Sequence, residues 1–375
     1  MSTEVQKLGM PKWGLSMTEG RLVEWLVEEG ADVAVGDEVA EVETEKITGA
    51  VEATASGVLR RRIGSVGDVI PVGGLLGVIA DASVSDADID AFVADFQASF
   101  VPAEAEEEAG PAPETVTVDG TTLRFLKTGE GGEPLVLLHG FGGDLNNWLF
   151  NVEALSGDRA VYSLDLPGHG GSSKDVGDGD LAALCGALRG FLDSQGIDKV
   201  HLVGHSMGGL VAATVALEDP ARVASLTLVD SAGLGEQIDR DYIEGFVAAE
   251  GRRDLKPVLQ RLFADETLVT RQMVDDVLKY KRLDGVQPAL RSLADHLFAD
   301  GHQQHRVGDA LGSFSGPVLV VWGEQDQVIP VAHAEAAPAG AETKVLPGAG
   351  HSPHMEAAGE FNRVIEGFLA GAHAG

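Results

Sequence analysis

The sequence predicts a multidomain protein, with a small all-β sandwich first and a larger α/β domain after it. Three observations carry this expectation. An internal repeat runs through the first 80 residues, a Pro/Ala/Glu tract interrupts the chain near residue 102, and a strand–G-x-S-x-G–helix unit lies near residue 204. At about 150 residues per domain, 375 residues allow two or three domains.

The repeat comes first. An offset of 37 residues places Gly20 on Gly57, Leu22 on Leu59, Gly30 on Gly67, Val33 on Ile70, Gly36 on Gly73 and Val39 on Leu76. Short β-branched runs between Gly and Asp are strand and turn signals. Two halves of four short strands predict a sandwich with pseudo-twofold symmetry over residues 1–82. Between the halves, V-E-T-E-K-I-T-G-A-V at residues 42–51 puts Lys46 near the tip of a hairpin. An arbitrary exposed lysine is only a solvated charge; the place of Lys46 on the repeat axis sets it apart.

Residues 85–99 carry Ile89, Phe92, Val93 and Phe96 at helical spacing, with acidic residues between them. They predict a short amphipathic helix starting near Ser85, packed on this chain's own domains or docking a partner subunit. The tract P-A-E-A-E-E-E-A-G-P-A-P at 102–113 lacks large apolar side chains. It cannot bury enough surface to fold and reads as an extended linker reaching on the order of 35 Å. Helix and linker together occupy 83–114, leaving 115–375 for the second domain.

The second domain is read from four segments. K-V-H-L-V-G at 199–204 is strand-like, and G-H-S-M-G at 204–208 leads into a helical run stopped by Pro220. This turn needs glycines where backbones pass closely, and it exposes Ser206 on a strained corner. P-L-V-L-L-H-G-F-G-G at 134–143 is a buried strand ending in a Gly-rich loop. Such a loop can bind an oxyanion, and the backbone N–H groups of Phe141 and Met207 are the expected donors. P-V-L-V-V-W-G-E-Q-D at 317–326 ends in Asp326, and L-P-G-A-G-H at 346–351 ends in His351. Ser206 is then the nucleophile, His351 its base and Asp326 the group that orients the imidazole. Asp230, ending the run at 225–229, is the rival acid; Asp326 is preferred for its W-G-E-x-D context. His354 is the rival base. Strand signals stop between Ser231 and Gly316, so residues 232–314 are expected to form a helical cap over the serine.

Composition narrows the partners. Asp plus Glu number 59 against 27 Lys plus Arg, a formal charge of −32. That field repels phosphate backbones and anionic lipid, so no nucleic acid or membrane partner is expected. The single cysteine, Cys185, excludes an intrachain disulfide and a cysteine-rich zinc site. His296, His302 and His305 lack metal spacing, so no metal is expected. The N-terminus lacks a signal-peptide pattern, and apolar runs are too short to span a bilayer. A cytoplasmic protein is the expectation.

Residues 4–80 resemble a lipoyl/biotinyl carrier domain, with E-T-E-K-I as the lipoylation hairpin. Biotin carriers place methionine on both sides of the lysine, where this chain has Glu45 and Ile47. The resemblance therefore implies lipoate on Lys46. The order Ser, Asp, His, together with D-L-P-G-H-G-G-S-S at 165–173, resembles the α/β-hydrolases. The whole chain, including H-G-F-G-G-D-L-N-N-W at 139–148, resembles the acetyltransferase components of acetoin-cleaving complexes. That resemblance implies acetyl transfer from lipoyl-Lys46 to coenzyme A. It also implies a thiamine-diphosphate-dependent acetoin-cleaving component and a dihydrolipoamide dehydrogenase as partners. The second domain does not resemble the trimeric catalytic domain of the usual lipoyl acyltransferases, so their cubic or icosahedral core is not expected. Two alternatives stay open on the residues: a tethered thioesterase or esterase, and a carrier whose second domain is a scaffold.

Overall fold

A computed structural model describes residues 5–11, 13, 17–44, 48–100 and 112–372. Two compact units divide the chain, residues 1–110 and 111–375.

The first unit holds β1 (Gln6–Gly9), β2 (Glu19–Trp25), β3 (Asp32–Val33), β4 (Glu38–Glu43), β5 (Thr48–Glu52), β6 (Gly57–Arg62), β7 (Val69–Pro71) and β8 (Leu75–Ala80). They form two four-stranded sheets, ordered β1-β8-β6-β3 and β5-β4-β2-β7. The repeat maps β2, β3 and β4 onto β6, β7 and β8, and so carries one sheet onto the other. Each sheet draws strands from both halves, so neither half can close a core alone. The repeated glycines are its hinges. Gly30 and Gly67 have φ of 89° and 97°, and Gly36 and Gly73 have 92° and 77°, a region that penalises a Cβ. The repeated apolar pairs Leu22/Leu59 and Val39/Leu76 are wholly buried between the sheets.

Unlike its neighbours, β8 is buried at every residue. Leu76 and Ile79 face the sandwich core, while Leu75, Val78 and Ala80 meet the helix Asp86–Ser99 through Ile89. Covering both faces explains its continuous apolar run. The helix begins at Ser85, whose side chain accepts from the Asp88 N–H. Arg60 pairs with Asp86, and Arg61 with Asp86 and Asp90. The sandwich hairpin between β4 and β5 closes on the pair Glu43↔Thr48; Lys46 lies outside the described residues, as does 101–111 of the linker.

The second unit is built on β9 (Glu114–Val118), β10 (Thr121–Thr128), β11 (Leu135–Leu138), β12 (Val161–Leu164), β13 (Val200–His205), β14 (Val223–Val229), β15 (Val318–Gly323) and β16 (Glu342–Leu346). The order is β16-β15-β14-β13-β11-β12-β10-β9. From β12 to β16 all pairings are parallel, and β9 and β10 pair antiparallel at one edge. Alternate residues serve opposite faces. Val136, Leu138, Leu202, Leu226 and Trp322 join the core with helices Leu181–Ser194 and Met207–Glu218. Leu135, Leu137, Val203, Val229 and Val321 join the core with helix Ala358–Ala372. Both faces are covered, as a parallel sheet requires.

The chain runs from β11 to β12 on one side and from β13 to β14 on the other. The crevice between β11 and β13 is therefore the topological switch point, where ligands of such sheets bind. Between β14 and β15 the chain leaves the sheet for the helices Arg240–Ala248, Arg252–Gln260, Arg271–Lys281 and Val286–Leu297. Among the described residues no helix is long and apolar enough to cross a membrane.

Candidate active site

Ser206 follows β13 and starts the helix Met207–Glu218 with φ 52° and ψ −116°. A positive φ in a non-glycine residue stores strain, and tight backbone contacts hold it. A Cβ on Gly208 would lie 2.5 Å from the Leu138 carbonyl oxygen, and one on Gly204 would strike the Gly208 carbonyl. The Ser206 N–H donates to Val229 O at 2.9 Å, and its carbonyl accepts from Ala232 N at 3.0 Å. Ser206 is 4% exposed.

His351 lies on the loop after β16, and Asp326 on the loop after β15. His351 Nδ1 and Asp326 Oδ2 are 2.8 Å apart. Asp326 Oδ1 accepts from Val328 N at 2.7 Å and Ile329 N at 3.0 Å, which fixes the carboxylate plane. Asp230 does not contact His351 as its partner; Asp326 does. Asp230 stands behind them, and one oxygen of each carboxylate and one nitrogen of His351 lie within 4.8 Å of one another. Burial, followed by the charge of Asp326, pushes the Asp230 carboxyl well above the usual range.

His205, beside the serine, ties the two halves of the site together. Its Nε2 lies 2.7 Å from the His351 carbonyl oxygen, and the two rings are 4.8 Å apart. Burial, then neighbouring His354 and His351, holds His205 well below the usual imidazole range. A neutral ring with Nε2–H donating fits this bond. The rival base His354 is also buried, between Trp148 and His205, and burial pushes it down to about 3.

The two expected oxyanion donors sit on adjoining elements. Met207 is the first residue of its helix, where N–H groups lack intrahelical acceptors and the dipole favours negative charge. Phe141 lies on the loop after β11. That loop is held by residues the sequence reading left without a role. Gly142 N donates to His169 Nε2 at 3.0 Å, and the Tyr242 hydroxyl from the inserted helices donates to Phe141 O at 3.2 Å. His139 accepts from Leu166 N at Nε2, 3.0 Å away. Glu356 accepts from Gly350 N and Ala264 N, each at 2.7 Å, and so joins the His351 loop to the inserted helices. The only sequence signals for these roles were the two Gly-rich loops; Tyr242 and Glu356 left none.

A small cavity opens beside the loop. Phe141, Tyr242, Phe246, Leu259, Met273 and Met355 are among its lining residues. Its wall is largely apolar, with a few polar residues among its lining, including Asn147, His205 and Ser352.

The fold and site define a serine-centred α/β-hydrolase domain carried behind a biotinyl/lipoyl-type domain. A family model described as the alpha/beta hydrolase fold matches residues 133–358, and one described as a biotin-requiring enzyme matches residues 6–79. The dihydrolipoyllysine-residue acetyltransferase component of the acetoin cleaving system of Cupriavidus necator is 50% identical, covering 99% of this chain and 100% of that one. Its namesake from Pseudomonas putida is 52% identical, covering 98% and 99%. The chain belongs to this family of acetyltransferase components. In fold alone, the second unit is similar to a meta-cleavage product hydrolase from Pseudomonas fluorescens, with TM-score 0.64 and 22% identity over 69% of this chain and 98% of that one.

Proposed function

We propose that the chain transfers acetyl from a lipoyl arm on Lys46 to coenzyme A through an acyl-Ser206 ester. The observation that carries the reading is the His351–Asp326 pair at 2.8 Å, its loop tied at 2.7 Å to His205, the residue before a serine on a strained elbow, in a chain that also has a carrier domain. The arm supplies the acyl group as a thioester. The apolar cavity suits an eight-carbon arm better than a charged donor.

Ser206 Oγ adds to the thioester carbonyl while its proton passes to His351 Nε2. Asp326 holds Nδ1–H and stabilises the imidazolium. The N–H groups of Phe141 and Met207 hold the oxyanion, each contributing about 3–4 kcal/mol. His351 returns the proton to the departing thiolate, leaving acyl-Ser206. His351 then takes the proton of the coenzyme A thiol, which attacks the ester. Collapse gives acetyl-coenzyme A, and the proton returns to Ser206.

The chain works as a component of an acetoin-cleaving multienzyme system. Its proposed neighbours there are a thiamine-diphosphate-dependent acetoin-cleaving component and a dihydrolipoamide dehydrogenase, in the cytoplasm, where coenzyme A is available. In this reading residues 1–82 are the carrier, 83–114 the helix and tether, and 115–375 the transferase, with the cap at 232–314.

The test is product partition from S-acetyl-dihydrolipoamide, with and without coenzyme A. Acetyl-coenzyme A formed by the wild type and lost in Ser206→Ala supports the transferase. Acetate alone, indifferent to coenzyme A, makes the chain a tethered thioesterase. Intact mass tests the carrier: an added lipoyl mass that persists in Lys46→Arg removes Lys46 from the scheme.

A further inference from the structure

Asp230 is wholly buried and has φ 43°, directly behind the Asp326–His351 pair. Its Oδ1 accepts from Gly323 N at 2.9 Å. Among the described residues its buried Oδ2 meets no hydrogen-bond donor. The lone pairs of Asp326 can be counted against this. Oδ1 accepts two backbone N–H groups and is full, while among the described residues Oδ2 accepts from His351 Nδ1 alone. One acceptor position therefore remains, on the oxygen shared with the histidine.

Two ionised carboxylates here would repel strongly in a dry interior. The charged groups acting on Asp230 are Asp326 and Glu356, and His351 is the third member of the cluster. None of these is a permanent cation that would offset a second negative charge. A proton on Asp230 Oδ2 removes the repulsion, satisfies the orphaned oxygen and fills the last position on Asp326.

We infer that Asp230 is a neutral hydrogen-bond donor to Asp326, a positioning residue that locks the carboxylate orienting His351. The inference rests on the proposed roles of Asp326 and His351. The donor holds the Asp326 oxygen that the Val328 and Ile329 amides leave to His351, and adds no charge to the site. Burial and the neighbouring Asp326 charge favour the same protonation state.

The test uses the full-length protein, with two readouts. Infrared spectra at pH 7 report a protonated carboxylic acid directly, whatever the acyl acceptor. The pre-steady-state burst with 4-nitrophenyl acetate reports acylation. Wild type should show a carboxylic C=O band that Asp230→Asn lacks. Asparagine can accept from Gly323 N and donate to Asp326, so its burst rate should stay within ~3-fold of wild type, with an unmoved acid limb. Asp230→Val, which can do neither, should lose ~10²-fold in burst rate with KM little changed. The inference is overturned if the band is missing from wild type, or if the acid limb of Asp230→Asn moves down by about one pH unit, the mark of a negative charge removed from beside His351. Failure of the serine assignment is separate: it appears as a burst surviving in Ser206→Ala, while the infrared band still decides the state of Asp230.

Discussion

Replacing Asp326 by asparagine should nearly abolish acylation while leaving the fold in place. The direction follows from the donors around the residue. Asp326 Oδ1 accepts from two backbone N–H groups, at 2.7 and 3.0 Å. An asparagine must turn its oxygen to them, since an NH₂ there would face two donors. Its NH₂ then points to His351 Nδ1, where Oδ2 accepted at 2.8 Å. His351 Nδ1 becomes the acceptor, and the ring proton moves to Nε2. That tautomer cannot take the proton of Ser206. Loss of this orientation is worth ~10⁴-fold in kcat, about 5.4 kcal/mol of transition-state stabilisation. The folded state loses one charge-assisted hydrogen bond, about 1.5–3 kcal/mol, which a stable domain of this size survives. The assay is the burst of 4-nitrophenolate from 4-nitrophenyl acetate, followed by acetyl-coenzyme A formation, beside a thermal melt. An Asp326→Asn protein that melts cooperatively and acylates within tenfold of wild type refutes the reasoning.

Other predictions follow from the same contacts. His354 should make stability fall with acid: the unfolded chain binds a proton there below about pH 6.5, while the folded chain resists until about 3. Between those values the wild type loses about 1.4 kcal/mol per pH unit from this group; His354→Phe should flatten denaturation midpoints there, and an unchanged slope contradicts the buried neutral ring. Phe246 is buried against Phe141 and lines the cavity, so Phe246→Ala should cost about 3–5 kcal/mol and shift turnover toward longer acyl esters; unaltered chain-length preference would remove Phe246 from the acyl pocket. Gly208→Ala should fail to form the elbow, because its Cβ would lie 2.5 and 2.6 Å from the carbonyl oxygens of Leu138 and His139; soluble protein with normal burst kinetics would count against this packing.

Much of this was legible in the residues. The repeat predicted the pseudo-twofold sandwich because Gly30/Gly67 and Gly36/Gly73 must occupy a conformation that side chains avoid, and a turn that needs glycine keeps its spacing in sequence. The G-H-S-M-G turn was legible for the same reason: the contacts excluding a Cβ at Gly204 and Gly208 come largely from the strand–turn–helix unit itself and the adjoining strand. Apolar runs identified β11, β13, β14 and β15, since a parallel strand buried on both faces has little room for polar residues. Local rules thus determined the two fold classes, the serine and the pair of candidate acids. Only the tertiary structure shows which of those acids meets His351. Asp230 and Asp326 both follow buried strands, and the W-G-E-x-D context favoured Asp326 while leaving Asp230 as a rival. The pairing of β14 with β15 brings the two carboxylates to one place, and the loop after β15 turns Asp326 alone onto His351. The same is true of Tyr242 on the oxyanion loop and of Glu356 joining the histidine loop to the inserted helices. Each joins segments about 100 residues apart, through a hydrogen bond whose partners have no periodicity to betray them.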